Sequence, residues 1–471
     1  MPKAPRKTTP KQDRSPEQET PAVYFRSIEV ENVLCFKDKQ VLNLSTPEGI
    51  PAQWTVILGD NGVGKTTLLR CLAGMELHER SIVDNNYFEA LVMLSPDYMT
   101  SWISNVRTNS NFIKDSTGIK IKVDIAYPAL MKTLADKNLK LNTINNKESL
   151  VQVELDLVNF GSKMSSIPEY SIPKNVVCFG YGASRNLGTT SLSESLKIEN
   201  SRSLFVEGEA LVNAEEWLLQ TDYSRKYAES ENISGFQHAS QFNQIVDVLK
   251  NILVDIDDVR IRFIDDIPPH PRVEFKTPYG WVHINDLGLG YRTAIAWMVD
   301  LAVRMFRRYP NSPDPLAEPA IVLVDEIDLH LHPRWQRTIM SFLGDRFPNT
   351  QFIVTAHSPL VVQAAKDANI VLLRREGDHV IIDNNPTIIE NWRVDQVLSS
   401  VFELESDRPP HIEPLLKRRE EILSQAHLTE ADEAELKSLS QQIGALPTAD
   451  NLRDIEAMDI IRRAAKLLEN A

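Results

Sequence analysis

The apolar residues of this chain gather in short unbroken runs set between long mixed stretches. Val56-Ile57-Leu58, Ile321-Val322-Leu323-Val324, Phe352-Ile353-Val354, Ile370-Val371-Leu372-Leu373 and Val380-Ile381-Ile382 are too short for helices and predict strands. Val259 to Phe263 and Arg272 to Phe275 alternate, which predicts half-buried strands. Pro278-Tyr279-Gly280 turns the second of these into a strand from Trp281 to Ile284. Two further strands are expected at Ile119 to Tyr127 and Leu150 to Val158, around an Asn- and Lys-rich loop from Asp136 to Glu148. Helical spacing marks Thr66 to Ala73, Asn213 to about Leu253 with a mobile stretch near Glu229 to Gly235, Thr293 to Arg304, and Ile412 to Ala426. Thr429-Glu430-Ala431-Asp432 starts another helix like a capping box, and Gly444-Ala445-Leu446-Pro447 ends it. A last helix is expected from about Asn451 to Leu468. Strands that alternate with helices imply an α/β fold.

The most chemical segment joins the first run to the first helix. Gly59-Asp60-Asn61-Gly62-Val63-Gly64-Lys65-Thr66, with Thr67 after it, satisfies G-x-x-x-x-G-K-[ST] at every fixed position. Glycines let backbone N–H groups crowd a phosphate, and the helix N-terminus adds positive potential. Asp60, Asn61, Gly62, Val63, Gly64, Lys65, Thr66 and Thr67 are therefore the expected nucleotide cradle. Lys65 reaches the β- and γ-phosphates of ATP, and Thr66 holds Mg²⁺.

Its partners are distant. The run at 321–324 ends in Asp325 and Glu326. Asp325 is expected to hold Mg²⁺ with Thr66, and Glu326 to polarise the attacking water. His357 ends the next strand, where it can sense a γ-phosphate. Each feature alone also suits an ordinary strand end or a loop histidine. Their order after a P-loop favours catalysis.

This order resembles the ABC-type ATPases, and among them the SMC/RecF/OLD branch. Ile28-Glu29-Val30-Glu31-Asn32-Val33-Leu34-Cys35-Phe36 resembles that branch's opening strand and turn, which implies Phe36 at the nucleotide. Leu287-Gly288-Leu289-Gly290-Tyr291-Arg292 stands where the family has its "LSDGYR" signature. The resemblance implies that Gly288 and Gly290 act on a γ-phosphate bound by another protomer. The usual Ser is replaced by Gly288, which implies slow turnover. Asp325 to Gln336, with His330-Leu331-His332-Pro333, resembles the "DE-x-x-x-HLHP-x-x-Q" run of OLD- and Septu-like members. His330 and His332 have metal-ligand spacing without further ligands nearby, so a loop crossing a dimer interface is preferred. Phe179 to Arg185, Leu211 to Leu218 and Asn391 to Leu398 also resemble this group.

Net charge is −14, from 65 acidic and 51 basic residues, which argues against broad coating of nucleic acid. Local basic clusters remain, at Arg304, Arg307 and Arg308 and at Lys417-Arg418-Arg419. DNA contact there is the minority alternative to a solvated helix face. Three scattered cysteines offer no disulfide framework. No apolar run approaches a membrane span and no leader pattern opens the chain, so a cytoplasmic protein without membrane contact is expected.

The expected organisation is a disordered tail at 1–20, an ABC-type ATPase domain at 21–400, and a helical region at 401–471 acting as a lid or a docking arm. Within the domain, 80–175 is an insertion of mixed strand and helix, and 205–255 is mainly helical. Toprim and HNH nuclease signatures and long heptad arms are missing from the sequence. The resemblance implies an ATPase, dimeric or larger with shared ATP sites, that controls a separate HNH-type nuclease in defence against phage. A RecF-like DNA-repair ATPase and a scaffold with structural ATP stay open as alternatives.

Overall fold

The computed structural model describes residues 23–74, 78–79, 92–93, 120–127, 149–156, 177–195, 200–231, 237–253, 255–265, 270–386, 393–402, 410–423 and 429–443. The tail at 1–20, the polar loop from Asp136 to Glu148 and the last expected helix lie outside these residues. The chain divides into two compact units, Met1–Val397 and Leu398–Ala471.

The five apolar runs meet in one six-stranded sheet. Its order is His379–Asp383, Asn369–Glu376, Trp54–Gly59, Thr350–Thr355, Ala320–Val324 and Cys178–Tyr181. Only the His379–Asp383 edge is antiparallel. Every residue of Trp54–Gly59, Ala320–Val324 and Thr350–Thr355 is buried, as unbroken apolar runs in a parallel sheet should be. Register then decides the site. Val324 pairs with both Val354 and Tyr181, and Thr355 with Ile57. The polar residues that follow each parallel run therefore emerge along one edge, the carboxyl ends of the strands, where open α/β sheets bind ligands.

A second sheet is antiparallel throughout, in the order Gln40–Asn43, Tyr24–Glu31, Lys120–Tyr127 and Ser149–Asp156. The two strands expected inside the 80–175 insertion thus extend the sheet begun by the N-terminal strand. A third sheet joins Gly280–His283, His270–Thr277 and Asp258–Ile264. The stretch expected to be helical from Asn213 is two helices, Ala214–Ser230 and Gln237–Ile252. Asn213 caps the first by accepting from Glu216 N at 3.1 Å.

The helix Leu289–Arg308 begins four residues before the Thr293 start read from the pattern. Its first turn is half-exposed and carries no apolar periodicity, so the pattern registers only the buried part. Every residue from Thr293 to Phe306 is buried. Asp300, fully buried, accepts from Tyr181 Oη at 2.9 Å, Val212 N at 3.0 Å and Arg304 Nε at 2.6 Å. Arg304 also donates to Asn200 Oδ1 at 3.0 Å. This corrects one reading: Arg304 is not part of a basic surface cluster, because its charge is spent inside the core on Asp300.

In the second unit, Glu413–Leu423 and Glu430–Ile443 are helices that pack on each other, with Arg418 donating to Glu435. The capping box forms: Asp432 N donates to Thr429 Oγ1 at 3.2 Å, and Thr429 N to Asp432 Oδ2 at 2.9 Å. Among the described residues, no helix is long and apolar enough to cross a membrane.

Candidate nucleotide-binding site

Between Trp54–Gly59 and the helix Lys65–Ala73 the backbone turns through three glycines with positive φ, Gly59 (142°), Gly62 (80°) and Gly64 (88°). Side chains are excluded at Gly64 by space as well as by φ. A Cβ there would stand 2.6 Å from Cys35 Sγ and 2.8 Å from the Phe36 ring. The loop wraps one side of a cavity of about 260 Å³. Asn61, Gly62, Gly64, Lys65, Thr66 and Thr67 line that side, and Asp325, Glu326 and His357 the other.

Two loop residues and one aromatic are placed differently from expectation. Asp60 is exposed and supplies only its carbonyl, and Val63 is turned into the core. Phe36 does not reach the cavity. It is fully buried beneath Gly64, because the Val33–Phe36 bridge folds it inward. Leu34 and Cys35 line the cavity in its place, with Leu34 held outward at φ 49°.

The polar atoms converge. Lys65 Nζ donates to Gly59 O at 2.7 Å and Asp60 O at 2.8 Å. Burial lowers the Lys65 ammonium's pKa, while Asp325, Glu326, Asp60 and Asp328 oppose that shift. Thr66 Oγ1 donates to Asp325 Oδ2 at 2.7 Å. Thr355 Oγ1 donates to Asp325 Oδ1 at 2.7 Å and accepts from Glu326 N at 2.7 Å. A hydroxyl and a carboxylate at hydrogen-bond distance beside a glycine cradle form the oxygen donor set of a hard cation such as Mg²⁺.

The segment after Glu326 is tied to the histidine strand. His357 N donates to Asp328 Oδ2 at 3.1 Å. Gln336 Nε2 donates to Leu331 O at 3.0 Å, and its Oε1 accepts from Ser358 Oγ at 2.7 Å. His332 caps the helix Pro333–Gln336 by accepting from Arg334 N. No group of three or more His, Cys, Asp or Glu forms a metal cluster among the described residues. Gly288 and Gly290 are not in the cavity lining of their own chain. Gly290 packs against this loop instead, where a Cβ would meet His330 O at 2.3 Å.

Two family models match this part of the chain. Residues 179–363 match one described as "AAA domain, putative AbiEii toxin, Type IV TA system", and residues 27–251 match one described as "AAA domain". The chain is 25% identical over 424 residues to the Septu protein PtuA of Bacillus mycoides (strain KBAB4), across 89% of this chain and 50% of that one. It is 24% identical over 381 residues to the PtuA of Bacillus thuringiensis, across 78% of this chain and 82% of that one. The chain resembles PtuA along most of its length. It spans about half the length of the Bacillus mycoides PtuA. The PtuA likeness runs along most of the chain, whereas that to the "Retron Ec83 probable ATPase" of Escherichia coli is higher in identity but shorter. It is 37% over 164 residues, across 34% of this chain and 29% of that one. A solved SMC head bound to the C-winged helix domain of ScpA is 12% identical, with a TM-score of 0.39, covering 76% of this chain and 97% of that chain.

Sequence reasoning missed Thr355, Asp328 and Leu34 at this site. Thr355 carried a usable signal, since a hydroxyl ending a buried strand beside Asp325 must find a buried partner.

Proposed function

We propose that the chain binds ATP with Mg²⁺ in this cavity and hydrolyses it. The observation that carries this is the approach of Thr66 Oγ1 to Asp325 Oδ2 at 2.7 Å, beside Lys65 and the glycine turn. Lys65 leaves the Gly59 and Asp60 carbonyls for the phosphates. Thr66 and Asp325 would hold Mg²⁺, which supplies neutralisation of phosphate charge. Glu326 lines the cavity and orients the attacking water, and His357 faces the terminal phosphate. Phosphoryl transfer needs little more than such positioning and electrostatics.

In this reading Gly288 and Gly290 act on the nucleotide of a second copy, as the resemblance of residues 287–292 to the family signature implies, and neither lines the cavity of its own chain. Likeness to PtuA and to the retron ATPase supports a role in anti-phage defence. We propose that this role is cytoplasmic and that the ATP state controls a separate HNH-type nuclease subunit. The test is phosphate release from ATP by the purified chain, abolished by EDTA, together with co-purification of a co-expressed HNH subunit. No release above that of Glu326→Gln would overturn hydrolysis. Absence of a stable complex in either nucleotide state would overturn the nuclease partnership.

One observation favours a scaffold with structural ATP as second reading: Gly288 brings no hydroxyl to the start of its helix. A RecF-like role in DNA repair is less supported, because Arg304 is committed to Asp300.

A further inference from the structure

Behind the carboxylates lies a buried cation that the proposed chemistry does not use. Arg185 follows the strand Cys178–Tyr181 and is 3% exposed. Its guanidinium forks onto two successive carbonyls, Nη1 donating to Asp325 O at 2.6 Å and Nη2 to Glu326 O at 2.8 Å. Burial pushes its pKa down to about 10, against the opposing pull of Asp325, Asp328 and Glu326. Its Nε and Asp328 Oδ1 are both buried atoms without a hydrogen-bond partner among the described residues.

The peptide it grips is unusual. Glu326 has φ 48°, in the left-handed region that side chains other than those of Gly, Asn and Asp rarely adopt. Such a conformation persists where its surroundings over-determine it. Here Thr355 Oγ1 takes the Glu326 N–H while Arg185 takes the carbonyls on both sides. The turn aims Glu326 into the cavity that Asp325 also lines.

We propose that Arg185 is a positioning residue: its fork clamps the Asp325–Glu326 turn, and its fixed charge lets Asp325 and Glu326 converge on the nucleotide cavity with the Asp328 carboxylate beside them. A lysine at this position would keep the charge but lose the planar fork onto two carbonyls. The assignment rests on the ATP-binding reading of the site, and one of its tests does not.

That test is amide hydrogen exchange of the full chain without nucleotide. The Glu326 and Ile327 amides donate to Thr355 Oγ1 and Thr355 O. In Arg185→Met they should exchange about tenfold faster, with Ile353 in the neighbouring strand unchanged, and Arg185→Lys should fall between. The second readout is function: single-turnover hydrolysis should fall about 100-fold in Arg185→Met while ATP affinity stays within about threefold, with partial rescue in Arg185→Lys. Mn²⁺ bound in the presence of ATP, counted by electron paramagnetic resonance, should weaken in the same order. Unchanged exchange in both variants would overturn the clamp. ATP affinity, turnover and melting temperature falling together in both would make Arg185 a mere scaffold residue, as would failure of Arg185→Lys to fold. If the wild-type chain hydrolyses no ATP, the ATPase reading falls, and the exchange result still decides Arg185.

Discussion

The Thr66 hydroxyl donates to Asp325 Oδ2 at 2.7 Å, joining residues 259 positions apart in the chain. Parallel register brings them together. Thr355 pairs with Ile57 and Val354 with Val324, so the P-loop and the acidic strand end share one sheet edge. The Thr66–Asp325 pair thus depends on strand order more than on local loop structure.

Glu326→Gln should bind ATP as the wild type does and turn it over about 100-fold more slowly, because the amide keeps shape but loses the carboxylate that orients water. A rapid-quench single-turnover assay checks this. An unchanged rate would assign the base elsewhere.

Gly64→Ala should damage both fold and binding. The left-handed φ of 88° costs about 1–2 kcal/mol for an alanine, and its Cβ must also displace Cys35 and Phe36. A lower melting temperature with lost ATP binding is expected. Gly62→Ala serves as control, since its φ is similar but nothing lies within 4 Å of its Cβ. It should keep the stability that Gly64→Ala loses to the clash.

Asp300→Ala should destabilise the chain by about 3–5 kcal/mol, because it removes the carboxylate that balances the buried Arg304 charge and the acceptor of Tyr181 Oη and Val212 N. The double change Asp300→Ala with Arg304→Met should recover part of that loss, the rest remaining because Tyr181 Oη and Val212 N still lack their acceptor. Denaturant unfolding of the wild type, Asp300→Ala, Arg304→Met and the double variant gives the comparison. Additive losses would show that the pair is not coupled.

Shared sites predict complementation, and the geometry selects the variant. Gly290→Asp would clash with the His330 carbonyl whatever the nucleotide does. Gly288 has room, with only Tyr291 at 3.8 Å from its Cβ. Gly288→Asp chains, inactive by repulsion from the γ-phosphate, should regain activity when mixed with Lys65→Ala chains, since one composite site then carries neither lesion. Dead mixtures whose mixed dimers are confirmed by mass would count against shared sites that work independently. Gly288→Ser should fold as well as the wild type and hydrolyse ATP faster.

Much of this site was legible because its residues carry chemistry that few other patterns need. A glycine turn with lysine and threonine, two acids after an apolar run, and a histidine after the next run fall on the cavity as read. What failed depended on facing. Phe36 and Leu34 lie two residues apart, and only the Val33–Phe36 bridge decides which turns inward. Arg304 was partly legible, since an aspartate four residues earlier in an apolar helix marks an internal pair. Arg185 was not, because its partners are backbone carbonyls 140 and 141 residues away and leave no trace in side-chain spacing.

The most direct measurement is calorimetric titration of ATP with Mg²⁺ into the wild-type chain and into Lys65→Ala. Lys65 is buried in the cavity wall, and its charge-assisted contacts with phosphate are worth on the order of 3 kcal/mol, so affinity should drop about 100-fold or more in the variant. Comparable melting temperatures would show that the loss is local. An ATP affinity in Lys65→Ala within a few-fold of wild type would contradict the account and move the nucleotide away from this cavity.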